Sequence, residues 1–194
     1  ANHLDLAVQS GSNTVLQRML REYTKEHYLN LLAKLRLANP EIVITTDIIA
    51  GFPNETEQEH RETLDLLDKA QFDSIYSYNY SSRKGTKSSR MDDILTNDIR
   101  GERLREIQKY QMDIQANIRA GMAGKTFRIL VEKSKVHKGI KKWMGRSDCN
   151  RIIHFLPESE QASYEWHWVD VKVTSATGLS AQAELVQDLG KLRQ

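Results

Sequence analysis

Cys149 is the only cysteine in this chain, so no intrachain disulfide can form and a reducing, cytoplasmic setting is expected. Neither Cys149 nor the six histidines fall at metal-ligand spacing, so the sequence offers no metal site, and Cys149 reads as a small buried filler. Long apolar runs are also missing, and none approaches the length that crosses a bilayer. There are no repeats and no low-complexity tracts. The first residues, Ala1-Asn2-His3-Leu4, carry neither an initiator methionine nor a signal peptide, and the chain is expected to begin in mid-strand. What remains is an ordinary globular composition, 39% hydrophobic and 28% charged. The net charge of +2 hides an asymmetry, since residues 1–124 carry 16 Lys and Arg against 18 Asp and Glu, and residues 125–194 carry 12 against 8. Two parts with different roles are expected.

The first part alternates strands and helices. A strand at 3–9 leads through Ser10-Gly11-Ser12 into a helix from about Asn13, with Val15, Leu16, Met19 and Leu20 on one face. A second helix follows Thr24 as N-cap and stops at Asn39-Pro40. A strand at 42–49, a helix capped by Thr56 with Leu64, Leu66, Leu67 and Ala70 on its face, and a strand from Phe72 to Tyr80 complete the pattern. This spacing predicts parallel strands with right-handed crossovers, hence an α/β fold. A long helix over Thr96–Arg119 ends at Gly121 and Gly124, and the boundary is placed between residues 123 and 124. Five short strands are then predicted over 125–132, 140–146, 151–155, 166–174 and 182–186. In about 70 residues they suggest a small antiparallel barrel of OB type, so the fold class is α/β followed by all-β.

Polar residues at strand ends beside glycine-rich loops are where parallel α/β sheets hold ligands. Gln9 and Asp47 stand at two such ends, and a carboxylate in the β-branched run Ile42–Ile49 is costly to bury unless paired or facing a ligand. Arg21, three turns along the first helix, is placed to reach back over the same mouth and hold a carboxylate bidentately. A solvated Gln9, a surface Arg21 and a helix-capping Asp47 fit the spacing equally well. Gly51-Phe52-Pro53-Asn54-Glu55-Thr56 is a turn with positive φ expected at Gly51 and Asn54, leading to a helix N-terminus that can face an anion. Arg83-Lys84-Gly85-Thr86 is a basic loop at the same mouth, facing either phosphate or water. In the second part Lys125, Arg128, Lys133, Lys135, Lys138, Lys141, Lys142 and Arg146 surround a single acid, Glu132, with Trp143, Trp166 and Trp168 near them. Cations and rings on a small barrel suit RNA; a solvated face over a tryptophan core is the other reading.

Two sets of residues resemble a known family. Val8-Gln9-Ser10-Gly11-Ser12-Asn13, Arg21-Glu22-Tyr23-Thr24, Thr46 to Thr56 and Tyr80 to Thr86 resemble the radical S-adenosylmethionine (SAM) methylthiotransferases that act on tRNA. Gly124-Lys125, Leu130-Val131-Glu132 and Gly145-Arg146-Ser147 resemble the TRAM domain that ends those enzymes. The resemblance implies the second half of a partial (β/α)6 barrel with its linking helix in residues 1–123, and a TRAM RNA-binding domain in 124–194. It implies S-adenosylmethionine across the barrel mouth, with Gln9 and Asp47 at its ribose, Arg21 at its carboxylate, and Ser10 and Arg83 also at the cofactor or substrate. It implies the anticodon stem-loop of tRNA as partner, met by Lys125, Arg128, Lys141, Lys142, Arg146 and Arg151. The implied reaction replaces a C2–H of N6-isopentenyladenosine next to the anticodon with a methylthio group; threonylcarbamoyladenosine, or RNA binding without catalysis, are the alternatives. Two 4Fe-4S clusters belong to the family, but clusters need thiolates, and the Cys-x-x-x-Cys-x-x-Cys loop is not here. The chain is therefore expected to be a C-terminal piece of an enzyme, without catalytic residues of its own and inactive alone. Its open barrel edge predicts self-association. Asp5, Ala7, Asn54, Ser82 and Lys84 depart from the family pattern, and losing prolines at 82 and 84 is expected to loosen the Arg83 loop.

Overall fold

The computed structural model describes residues 2–137, 139–159, 161–178 and 180–191. The chain divides into two compact units, Leu4–Gln115 and the residues from Ala116 onward together with those up to His3.

In the first unit, β1 (His3–Asp5), β2 (Val43–Ala50) and β3 (Ser74–Asn79) form a sheet in that order. β2 and β3 run parallel, in register from Thr45↔Ser74 to Ala50↔Asn79. β1 is shorter than the predicted strand at 3–9 because a side chain interrupts its ladder. The Thr46 hydroxyl donates to Leu6 O at 2.7 Å and accepts Val8 N–H at 2.9 Å, standing in for backbone partners. Pairing resumes only at Gln9, whose N–H meets Asp47 O and whose carbonyl accepts Ile49 N–H, both at 2.9 Å. Gln9 takes a left-handed φ of 73° there.

Four helices connect and follow these strands: α1 (Asn13–Arg18), α2 (Lys25–Ala38), α3 (Glu57–Ala70) and α4 (Asn97–Ala120). α2 starts where its cap predicts, with Thr24 Oγ1 accepting His27 N–H. α3 starts on a reciprocal capping box between Thr56 and Glu59. It buries Leu66, Leu67 and Ala70, whereas the predicted Leu64 is half-buried. α1 ends a turn sooner than its apolar pattern suggests. Leu20 N–H bonds Gln17 O at 3.0 Å and Arg21 N–H bonds Leu16 O at 2.9 Å, the paired closure of a Schellman motif with Leu20 at φ 60°. Met19 and Leu20 thus lie beyond the helix, and Arg21 is not on it.

α4 buries Arg100, Arg103 and Arg119, and the first two grip the turn before α3. Arg100 Nε donates to Gly51 O at 2.9 Å, Nη1 to Leu95 O at 2.7 Å, and Nη2 to Asp93. Arg103 Nη1 donates to Glu55 O at 2.7 Å and Glu55 Oε2 at 3.0 Å. Gly51 must be glycine here, since it sits at φ 69° and a Cβ would lie 2.4 Å from Arg100 Cγ.

The second unit is a closed barrel of β4 (Thr126–His137), β5 (Ile140–Ser147), β6 (Ile152–Phe155), β8 (Ala181–Lys191) and β7 (His167–Ala176), in that order around the ring. Its core includes Ile129, Val131, Trp143, Phe155, Tyr164 and Val171. The expectation of an antiparallel barrel is corrected at one seam, because β6 and β8 pair in parallel from Ile153↔Ala181 to Phe155↔Ala183. A closed ring of five strands cannot alternate direction all the way round.

Candidate functional site

In the first unit, the C-terminal halves of β2 and β3 and the bridge residue Gln9 beyond β1 open on one cavity of about 730 Å³. Gln9, Arg21, Asp47 and Arg83 all line it, so the structure brings together four of the five residues expected at a cofactor. The fifth, Ser10, is a correction. It is fully buried, with its hydroxyl 3.4 Å from Thr63 Oγ1 and accepting Ser12 N–H, so it fastens the β1 end to α3 and does not face the cavity. Gly11 explains the closeness, because a Cβ there would lie 2.4 Å from Glu62 O.

Arg21 reaches the cavity by a route the sequence reading missed. The Schellman closure of α1 turns the chain at Leu20 and presents Arg21 to the mouth from a loop. Asp47 is half-buried on β2 and caps no helix. Among the described residues, the side chains of Gln9, Arg21 and Asp47 make no hydrogen bond or ion pair with protein. The amide of buried Gln9, the carboxylate of half-buried Asp47 and the exposed Arg21 guanidinium therefore line one cavity with their polar atoms uncommitted. The Gly51–Thr56 turn supplies only Phe52 to the cavity wall, edge-on to Tyr80 at 5.2 Å. The Thr56 N–H at the start of its helix is taken by Glu59, and the Gly51 N–H at the start of the turn by Glu55. The Arg83 loop is held without prolines, as Thr86 donates to Arg83 O at 2.8 Å and Ser89 to Thr86 O at 2.8 Å.

Sequence reasoning missed Arg18, which lines the cavity and grips Glu59 through two hydrogen bonds of 2.8 and 3.0 Å. Burial opposes the Glu59 charge, but Arg18, Thr14 and the Thr56 N–H outweigh it and hold its pKa down to about 2. The signal was legible, because Thr56-x-x-Glu59 has the spacing of a capping box.

In the barrel, several predicted RNA contacts are already engaged. Arg128 forms a bidentate pair with Asp170 at 2.9 and 3.1 Å, and Arg146 pairs with Glu132 at 3.0 Å and Asn150 Oδ1 at 2.9 Å. Lys142 donates to Gln182 at 2.9 Å, and Lys141 Nζ lies 5.0 Å over the ring of Trp143. Lys125 is exposed and Arg151 half-buried at the foot of β6. Burial, then the charges of Lys142 and Lys135, push the His154 pKa down, which marks a positive barrel face. Trp143 belongs to the core, whereas Trp166 is 47% exposed at φ 63°. Lys138 lies outside the described residues.

The radical SAM superfamily matches residues 1–67. The tRNA-2-methylthio-N(6)-dimethylallyladenosine synthase of Thermoanaerobacter sp. (strain X514) is 39% identical over 185 residues, 95% of this chain and 38% of that protein. Proteins of the same name from Acetivibrio thermocellus and Geobacillus kaustophilus are 37% and 36% identical over 95% and 96% of this chain, and 38% and 34% of their own lengths. The chain thus matches the radical SAM superfamily over its first third and is similar to these synthases over nearly all of its length. It spans about two-fifths or less of the relatives it matches.

The residues present suit one of the two cofactors that the resemblance implies and not the other. Uncommitted Gln9, Arg21 and Asp47 suit a molecule carrying a ribose diol and an amino-acid carboxylate, as S-adenosylmethionine does. Iron–sulfur clusters need thiolates. Cys149 is buried in the barrel unit with Sγ 3.0 Å from Ser147 Oγ, and no group of three His, Cys, Asp or Glu among the described residues is arranged around a metal. No cluster chemistry is assigned to these residues. No helix among them is long and apolar enough to cross a membrane.

Proposed function

We propose that this chain supplies the S-adenosylmethionine-binding mouth and the RNA-grasping barrel of a tRNA methylthiotransferase. The target is the dimethylallyl-type adenosine beside the anticodon. The observation that carries the reading is the convergence of three uncommitted polar groups on one cavity at parallel strand ends. Arg21 would hold the cofactor carboxylate by its planar fork, while Gln9 and Asp47 would hold the ribose hydroxyls. When bound, S-adenosylmethionine supplies the methyl group and the adenosyl group of the family reaction. The chain's own residues would orient it, with Asp47, inside β2, holding the ribose against that strand.

The barrel, of the size and strand number of a TRAM or OB module, would bind the anticodon stem-loop through Lys125, Arg128, Lys141, Lys142, Arg146 and Arg151. The shared name of the relatives favours the dimethylallyl substrate over threonylcarbamoyladenosine.

Titration of the chain with S-adenosylmethionine in a calorimeter tests the first half. Asp47→Ala is expected to weaken binding by about one to two orders of magnitude, the loss of charge-assisted hydrogen bonds. Unchanged affinity removes Asp47 from the site. For the second half, Lys141→Ala with Lys142→Ala and Arg146→Ala should lower affinity for an anticodon hairpin and flatten its salt dependence. Equal affinity and slope in the triple variant refute the barrel assignment.

A further inference from the structure

The cavity has two ends of different chemistry, and only one is accounted for above. Gln9 and Arg21 come from the β1 side, Asp47 and Ile49 from β2, and Tyr78, Arg83 and Lys87 from β3 and its following loop. Because β2 lies between β1 and β3, the third group stands across the mouth from the first. Tyr76 and Tyr78 sit two residues apart on one face of β3, and the two residues are 49% and 56% exposed. Tyr78 is level with Ile49 in the β2–β3 register, so its ring borders the cavity beside an apolar wall.

Beyond the ring stands a run of cations. Arg83, Lys84, Lys87 and Arg90 are exposed, and none makes an ion pair among the described residues. The barrel differs, because Arg128 and Arg146 there are each tied to a carboxylate. Unpaired cations beside an open aromatic face are the elements that hold a single-stranded nucleotide: the ring stacks on the base and the cations meet its phosphates. S-adenosylmethionine suits this end poorly, because it has no phosphate and its sulfonium is cationic, so charges of one sign would face each other.

We propose that Tyr78 and Lys87 form a second subsite in the cavity, which stacks an unpaired RNA base on Tyr78 and holds its phosphate with Lys87 and Arg83. The subsite rests on the RNA reading above and extends it to the first unit. It accepts a base already out of its helix, as enzymes acting on base atoms require.

The test uses the whole chain and an anticodon hairpin carrying 2-aminopurine at the target adenosine, followed by fluorescence at saturation and by anisotropy. In the wild-type and Tyr78→Phe complexes the probe is expected to be quenched by the stacked ring. In the Tyr78→Ala complex it should be bright, with affinity about tenfold weaker, the usual loss of one base–aromatic stack. Lys87→Ala should weaken binding and lower the salt slope while leaving the quench in place. Equal brightness in wild-type and Tyr78→Ala complexes overturns the subsite. So does a quench that S-adenosylmethionine competes away, because Tyr78 then holds the cofactor's adenine. The RNA reading of the barrel fails separately, through a hairpin whose binding ignores the Lys141, Lys142 and Arg146 substitutions. A hairpin that does not bind at all overturns both.

Discussion

Glu59→Gln isolates one charge that ties three elements of the first unit together. Glu59 accepts from Thr14 on α1, from Arg18 at the cavity, and from Thr56 N–H at the start of α3, with a side chain only 11% exposed. Its carboxyl is held from 4.5 down to about 2. A folded-state pKa below the unfolded one means the stabilisation is complete above the unfolded pKa and fades as the pH falls toward the folded one. At about 1.4 kcal/mol per pH unit, the charge contributes about 3 kcal/mol at pH 7 and less than half of that at pH 3. Glutamine keeps the shape and loses the charge, so the stability gap between the two proteins should shrink along that curve. Urea melts followed by circular dichroism at 222 nm report the helices, which lie almost wholly in the first unit. A gap that stays flat from pH 7 to pH 3, or one below about 1 kcal/mol at pH 7, refutes the reasoning.

Other outcomes follow from the same contacts. Leu20→Gly should leave stability unchanged or raise it by up to about 1 kcal/mol, since a β-carbon at φ 60° is strained and glycine is not; a loss above 1 kcal/mol contradicts this. Arg100→Met should cost about 3–5 kcal/mol, because it strands two backbone carbonyls and Asp93. Tryptophan fluorescence, which comes wholly from the second unit, should show an unshifted barrel transition in that variant. Sedimentation should show self-association rising with concentration, driven by the unpaired outer edge of β1. A monomer at every concentration overturns that expectation.

Caps and breakers made much of the fold readable. Thr24, Thr56 and the Asn39-Pro40 stop mark α2 and α3 because their side-chain chemistry is local, and the β2 run is β-branched enough to be unambiguous. Asp47, a charge in an apolar run, was legible as a residue to look at, and it lines the cavity. What was hidden depends on partners distant in sequence. The β1 ladder breaks on the hydroxyl of Thr46, 40 residues away, and Ser10 is buried by Thr63. Arg100 and Arg103 look like surface charges on an amphipathic helix, yet they are buried because the Gly51–Glu55 turn offers carbonyls and a carboxylate. The early end of α1 was hidden because a leucine occupies the left-handed position where a glycine would have announced it.

The parallel seam between β6 and β8 sets the order in which the barrel can form. β8 pairs with β7 on one side and β6 on the other, so it is the stave that joins the two free margins of the ring. Until β8 emerges from the ribosome, the strands β7-β4-β5-β6 can only make an open ribbon with two bare edges. Closure then brings Phe155 beside Ala183, a long loop to close late in folding. The nascent barrel is at its most aggregation-prone just before its final strand arrives.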